Sequence, residues 1–443
     1  MHKPKNSKKR VNIMKSKTIN VNYMARVEGE GALHVDIQNG EVTDAKLNIF
    51  EPPRYFEALL RGRDFSEAPD ITSRICGICP VAYQMSSCHA MEDIMDVTIG
   101  GPIRELRRLL YCGEWIESHA LHVFMLHAPD FLGYQDALQM AKDFPEQVKM
   151  GLRLKKIGND LMTLLGGRSV HPVSAKVGGF YKAPNPKDLD IIVGDLEWAK
   201  DASLETVQWV TTLSFPDFEP DYEYVSLCHP GEYPLNEGRI VSNKGLDIPI
   251  SEYESFFVEE HEKHSTALRS HRIGGGAYLV GPLARYNLNY DKLTKTVQKA
   301  AEKAGIAESC NNPYKSIIVR SLELAYACEE ALRIIREYKK PDQPAVEIIP
   351  GAGRGYGCTE APRGILYHRY DIDEEGKILD GKIVPPTSQN QLMIENDLRD
   401  YVQQHLDADD DELQWKCEQI VRNYDPCISC SVHFLNLKLN RKQ

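Results

Sequence analysis

Two Cys-x-x-Cys pairs stand near opposite ends of this 443-residue chain, Cys76 and Cys79 in RICGICP and Cys427 and Cys430 in DPCISCSVH. Four thiolates gathered at one point hold a soft metal. Any fold that gathers these four has to join segments separated by almost the whole sequence. A structural zinc module builds its site from pairs ~15–20 residues apart and folds around the ion. Loop-closure entropy grows only logarithmically with length, so a joint site is permitted here, but metal binding cannot drive local folding across such a span. The rest of the chain must hold the pairs in place. A disulfide framework is disfavoured, because the eleven cysteines are odd in number and no secretory signal is visible. The pattern favours a buried catalytic metal.

The chain supplies the core such a metal needs. Hydrophobic residues make up 42% of it and charged residues 26%, ordinary for a globular protein. No apolar run reaches transmembrane length. A formal net charge of -11, from 53 Lys plus Arg against 64 acids, argues against a nucleic-acid surface. The exception is the first 19 residues, MHKPKNSKKRVNIMKSKTI, which are basic and poor in large apolar residues. They read as a disordered extension with no export signal, which implies a cytoplasmic protein, and Met14 offers an alternative start.

No linker or repeat divides the remainder, so one extended domain over 20–433 is the simplest organisation. Leu33, Val35 and Ile37 alternate on one side of Asn39-Gly40 and Ala45, Leu47 and Ile49 on the other, which predicts a hairpin. From Pro102 to about His127, Ile103, Leu106, Leu110, Gly113, Ile116, Ala120 and Val123 fall at helical spacing. Val148, Leu152, Ile157, Leu161 and Leu164 do the same before Gly166-Gly167, which stops that helix. Further helices are expected at 187–213, 290–304 and 314–338, with strands near ILYHRYDI and KILDGKIV. The expected class is mainly α (α+β), a long central helix bundle with small peripheral hairpins and sheets.

Five segments, in order, resemble the large (alpha) subunit of nickel-iron hydrogenases: ARVEGEG at 25–31, RICGICP at 74–80, GGRSVHP at 166–172, EAPRG at 360–364 and DPCISCSVH at 425–433. PVAYQMS and DPCISCSVH are most similar to the cytoplasmic NAD(P)-linked and sulfhydrogenase types. The resemblance implies Cys76 and Cys427 as terminal nickel ligands, with Cys79 and Cys430 bridging nickel and an iron that carries carbon monoxide and cyanide installed by maturation proteins. Heterolytic cleavage of dihydrogen needs an electrophile and a nearby base. The resemblance makes Cys427 the first proton acceptor and Glu28 the next relay, a role that burial and a raised pKa would suit. It places Arg363 over the reacting position, where a permanent charge polarises the substrate, with Pro362 and Asp425 as neighbours.

His433, three residues after Cys430, invites assignment to the same metal. The resemblance implies instead a separate magnesium (or ferrous iron) ion, held with Glu57 of RYFEALLRG and the carbonyl of Gln391 in PPTSQNQ. It also implies that a maturation protease removes 434–443 after nickel insertion, between His433 and Phe434. Two departures from the pattern bear on the site's surroundings: Ser118 stands where membrane-type relatives often carry aspartate, and Glu30 replaces a histidine.

Other features carry less. His119 and His122 share a helix face with Glu117 but form no Glu-x-x-His pair, so they read as hydrogen-bonded core residues. GAGRGYG at 351–357 runs into a proline rather than a helix, which argues against a dinucleotide loop. The other seven cysteines, at 88, 112, 228, 310, 328, 358 and 417, form no iron-sulfur ligand run. Electrons therefore need an iron-sulfur small subunit and, by resemblance, flavin and NAD(P) diaphorase-type subunits beyond it; a deazaflavin or heterodisulfide reductase partner is the other option. Two rival readings stay open here. A quinone-site-like subunit of a respiratory complex should lack the four cysteines, and a noncatalytic zinc-stabilised assembly protein would need no Arg363.

Overall fold

The computed structural model describes residues 16–433. The segments 1–15 and 434–443, which hold most of the expected extension and all of the expected cleaved peptide, lie outside the described residues. Order begins earlier than the composition predicted. Lys17–Val21 is a strand that pairs antiparallel with Gly31–Gln38, placing Ile19 opposite Val35 and Val21 opposite Leu33. The basic composition hid a period-two pattern: Ile19 and Val21 are buried on one face while Thr18 and Asn20 face outward. The predicted hairpin completes this sheet as Gly31–Gln38 and Glu41–Ile49 around Asn39-Gly40.

Long helices form the centre of the molecule. Gly101–Leu121 packs against Pro145–Gly166 and against Ser316–Glu337, and Pro186–Thr211 lies along Ser316–Glu337. Proline occupies the first turn of several, including Pro80–Ile94, Gly101–Leu121, Pro145–Gly166, Pro186–Thr211 and Pro386–Gln404. A missing N–H is no loss there, and the fixed φ starts the turn. Gly167 ends Pro145–Gly166 in the left-handed region at φ 84°, as expected for a glycine stop. None of the helices among the described residues is long and apolar enough to cross a membrane.

Three helix expectations change in detail. Leu152, assigned to a buried face, is 54% exposed. The packed face runs instead through Gly151, Leu154, Gly158 and Leu161. A Cβ on Gly158 would stand 2.6 Å from the Gly113 carbonyl, so two helix backbones touch where an apolar pattern shows nothing. The expected helix at 290–304 is divided into a 3-10 turn at Tyr290–Lys292, which follows the separate helix Pro282–Asn289, and the helix Lys295–Lys303, because Thr294 caps a new start by accepting from Val297 N at 3.3 Å. Finally, Gly101–Leu121 gives way to a π-helical turn at His122–His127, which brings the two histidine rings to a centroid distance of 4.8 Å.

The glycine-rich segment has a structural use. Gly353–Ala361 is the first strand of an antiparallel meander with Gly364–Ile372 and Ile378–Val384. It lies against Pro80–Ile94 so closely that a Cβ on Gly355 would come within 2.2 Å of the Ala90 carbonyl and one on Gly357 within 2.0 Å of the Ser86 carbonyl. These glycines dock a strand on a helix. They thereby fix the strand's far end, the two-residue hairpin tip Pro362-Arg363, relative to the turn that carries Cys79. Gly357→Ala must push strand and helix apart, at a cost of about 1–3 kcal/mol by the usual measure of overpacking. A lowered melting temperature is expected; unchanged melting would show that the contact can open freely.

Candidate metal centre

Each cysteine pair is presented by a short turn. Cys76 follows the Ala68–Ser73 helix, and its sulfur accepts from the backbone N–H of Ile78 (3.3 Å) and Cys79 (3.2 Å). Cys79 is the N-cap of Pro80–Ile94, where no side chain of its own caps the helix. That duty falls to Glu114 on Gly101–Leu121, which accepts from Val81 N at 2.6 Å and Ala82 N at 3.2 Å. Burial pushes the Glu114 carboxyl well up despite both N–H donors. Sequence reasoning missed Glu114, since a cap supplied by another helix leaves no local signal.

Cys427 is the N-cap of the short Ile428–Ser431 helix, and its own N–H is taken by Thr387 Oγ1 at 3.0 Å. All four sulfurs lie within 4.8 Å of one another, with Cys76 to Cys427 at 3.5 Å and Cys427 to Cys430 at 2.7 Å. All four residues are buried. Hydrogen bonds from Cys427 and its neighbours hold the Cys76 thiol well below its ordinary value, whereas burial pushes Cys427 and Cys430 up. Four ionised sulfurs in this volume would repel one another strongly, so the donor set fits a bound soft cation.

Glu28 is joined to this turn by backbone as well as side chain. Its carbonyl accepts from Ile428 N at 2.9 Å in a parallel bridge to Cys427, and its Oε2 lies 3.1 Å from Cys427 Sγ while accepting from Ser429 N at 3.1 Å. Gly29, at φ +90°, permits the approach, since a Cβ there would stand 2.7 Å from Ile428 Cβ. Glu28 is half-buried in the isolated chain, not fully buried as the relay role suggested.

Arg363 is 2% exposed at the hairpin tip. It donates Nε to the Asp425 carbonyl at 2.6 Å and Nη2 to Asp425 Oδ1 at 3.1 Å. Burial alone would lower its pKa, but Asp425 and the nearby sulfurs raise it well above normal. Its Nη1 and Asp425 Oδ2 are buried without a protein partner. Asp425 itself is left-handed at φ 53°, a conformation that the surrounding bonds must enforce. His122 Nε2 meets the Arg422 carbonyl at 2.9 Å and His127 Nε2 meets Asn423 Oδ1 at 2.9 Å, so the π-helical turn grips the segment leading to Asp425. His119 Nε2 lies 3.0 Å from Glu323 Oε2, so its place in the buried core agrees with the expectation, but neither ring nitrogen makes a hydrogen bond of good geometry. Ser118 is buried and Glu30 exposed.

A second cluster lies at the end of the described chain. His433 Nε2 is 2.6 Å from the Ile383 carbonyl and 3.6 Å from Glu57 Oε1, while its Nδ1 meets the Cys430 carbonyl at 2.5 Å. Glu57 is therefore beside His433, but the carbonyl that meets the histidine is that of Ile383, whose backbone N–H donates to Glu57 Oε1 at 2.9 Å. Gln391 sits inside Pro386–Gln404, where its carbonyl belongs to the helical ladder, and its side chain reaches the Leu47 carbonyl at 3.4 Å. Ile383 lies at the end of a strand, before the helix begins. Glu259, another residue the sequence did not flag, is buried nearby, and burial pushes its carboxyl up to about 7 against the opposing charge of Lys382.

Comparison with known proteins gives concordant matches. A family profile described as nickel-dependent hydrogenase matches residues 54–151 and 246–433. The chain is 33% identical to the sulfhydrogenase 1 subunit alpha of Pyrococcus furiosus, over 95% of this chain and 98% of that one. It is 27% identical to the NAD-reducing hydrogenase HoxS subunit beta of Cupriavidus necator, over 95% of each. Among solved structures, an NAD+-reducing NiFe hydrogenase in the H2-reduced state superposes with a TM-score of 0.86 at 25% identity, covering 94% of this chain and 99% of that one.

Replacing any one of the four cysteines by serine should lower transition-metal affinity by more than the roughly 10- to 100-fold typical of removing an outer-sphere partner. Metal analysis of anaerobically purified protein reads this directly. Full nickel and iron in a Cys76→Ser variant would remove Cys76 from the ligand set.

Proposed function

The chain belongs to the nickel-dependent hydrogenase family and is the catalytic large subunit of a nickel-iron hydrogenase; on that premise we propose how its residues divide the work. Cys76, Cys79, Cys427 and Cys430 would hold the nickel-iron centre. When bound, that centre supplies the electrophile for heterolytic cleavage of dihydrogen to protons and electrons. The observation that carries the division of roles is the contact of Cys427 Sγ with Glu28 Oε2 at 3.1 Å, within a buried four-sulfur cluster that Arg363 adjoins. Cys427 takes the first proton and hands it to Glu28, a distance short enough for direct transfer.

Arg363 supplies a fixed positive charge, and Asp425 holds it in place by two hydrogen bonds, through its carbonyl and one carboxylate oxygen. Its Nη1, buried without a protein partner, would be satisfied by a polar ligand carried by the centre, such as the carbon monoxide and cyanide of the proposed iron. Glu57, the Ile383 carbonyl and His433 hold a hard cation, magnesium or ferrous iron, that anchors the segment after Cys430. Residues 20–433 form one catalytic domain, and 434–443 are removed after nickel insertion.

Among the described residues, the remaining cysteines form no cluster able to hold a further metal. Electrons therefore leave through an iron-sulfur partner. The exposed apolar side chains of Val170, Val173 and Tyr181, beside a His171 ring bound to the Ser73 carbonyl at 2.7 Å, suit a docking face close to Cys76. NAD(P) is the favoured final acceptor, through flavin-bearing subunits in the cytoplasm, since NAD-reducing enzymes appear among the relatives.

An infrared spectrum of the assembled complex, with nickel and iron analysis, tests the metal reading through carbon monoxide and cyanide bands; zinc without such bands would reverse it. In that complex, Glu28→Gln should retain the bands and lose about 10²–10⁴-fold of H2-driven dye reduction, the usual range for a lost proton acceptor. Undiminished turnover would take Glu28 out of the path. Active enzyme should also have an intact mass ending at His433, and a mass retaining Phe434 to Gln443 would exclude processing.

A further inference from the structure

Arg285, in the Pro282–Asn289 helix, is fully buried and commits donors on all three of its guanidinium nitrogens. Nε bonds Glu323 Oε1 at 2.8 Å, and Nη2 bonds Glu323 Oε2 and the Pro362 carbonyl, each at 2.8 Å. Nη1 bonds Glu360 Oε2 at 2.9 Å and the Ala361 carbonyl at 2.8 Å. The Trp115 ring lies against the guanidinium, 4.4 Å from centroid to Cζ, and its own Nε1 donates to the Glu360 carbonyl at 3.1 Å. Three consecutive residues, Glu360, Ala361 and Pro362, are thus gripped immediately ahead of Arg363.

The same tip is confined from the other side. A Cβ on Gly281 would stand 2.6 Å from the Arg363 carbonyl, and one on Gly364 would stand 2.5 Å from Val280 Cγ2. The Val280-Gly281 backbone therefore touches Arg363-Gly364 directly. A two-residue hairpin tip has few contacts of its own, so these two constraints decide where the Arg363 side chain begins.

We infer that Arg285 is the positioning residue for Arg363, its planar fork fixing the Ala361 and Pro362 carbonyls so that the Arg363 guanidinium is held against Asp425 beside the four sulfurs. The inference rests on reading the sulfur cluster as the reaction site. Lysine cannot replace the fork, because one ammonium has three donors on a single nitrogen and cannot span two carboxylates and two carbonyls. Displacement of a positioned group by about 1 Å can cost ~10²-fold in rate. Arg285 thus acts on the reaction only through Arg363, which distinguishes it from a residue that merely stabilises the core.

The test is a cycle in the assembled, anaerobically purified complex. Arg285→Lys and, separately, Gly281→Ala are introduced with Arg363 intact and in an Arg363→Lys background, and H2-driven dye reduction and infrared band positions are measured in each. With Arg363 intact, each change should lower the rate about 10- to 100-fold and shift the bands. In the Arg363→Lys background the same changes should cost no more than about 2-fold, because two residues acting through one contact are not additive. Equal losses in both backgrounds, or no loss with Arg363 intact, overturn the inference. Arg285→Lys leaves two buried carboxylates poorly paired; if it does not assemble, Gly281→Ala, which alters no charge, carries the same comparison. Failure of the underlying reading has a separate signature, since the unsubstituted complex would then show neither diatomic bands nor H2 uptake.

Discussion

Sulfurs that repel one another when ionised can share a small volume only if their backbones are held there independently, and in this chain that holding is done by the burial of residues 425–433. The segment is gripped at every step. Arg363 binds the Asp425 carbonyl, Thr387 caps Cys427, Glu28 pairs with Ile428 and Ser429, and Arg54 N binds the Val432 carbonyl at 2.6 Å. Without these bonds, a stretch with two cysteines and a left-handed aspartate would have no reason to enter the core. The helix bundle provides the walls, but this docked segment decides whether there is a site.

Buried charge does much of the gripping. Burial would push Glu323 up, yet Arg285 holds it down to about 2, whereas burial outweighs the same guanidinium at Glu360 and carries that carboxyl up to about 7. Such clusters are weak evidence for net stability, because desolvation offsets much of the attraction. Their contribution here is geometric. A planar guanidinium with fixed donors specifies the positions of two carboxylates and two carbonyls, a tolerance that apolar packing does not supply.

The parts legible in the sequence were those with local signatures: the hairpin around Asn39-Gly40, the helices with periodic apolar faces, and the cysteine pairs with their flanking motifs. Lys17–Val21 was obscured because composition outweighed a two-residue alternation. Pro80–Ile94 has almost every residue buried, so no amphipathic period marks it. Glu114, Thr387 and Arg285 were invisible for another reason, since each acts on a segment far away in sequence and looks ordinary among its neighbours. The Gln391 expectation failed at the boundary between strand and helix, where a few residues decide whether a carbonyl is free. Close-approach glycines carry no local signature: GAGRGYG runs into a proline and so argues against a nucleotide loop, but neither its docking of a strand on a helix nor the Gly113–Gly158 contact is written in the residues around it.

The separation of the two cysteine pairs also has a meaning in time. Cys76 and Cys427 are 351 residues apart, so at ribosomal rates of about 5–20 residues per second the first pair is made roughly 20–70 s before the second. During that interval Cys76 and Cys79 are a bare vicinal dithiol on a growing chain, without Glu28's partner turn or the sulfurs that will close over them. A dithiol in that state is open to oxidation by exchange with any available disulfide. The architecture that seals the finished site so completely therefore leaves its first half chemically exposed for as long as the chain is being made.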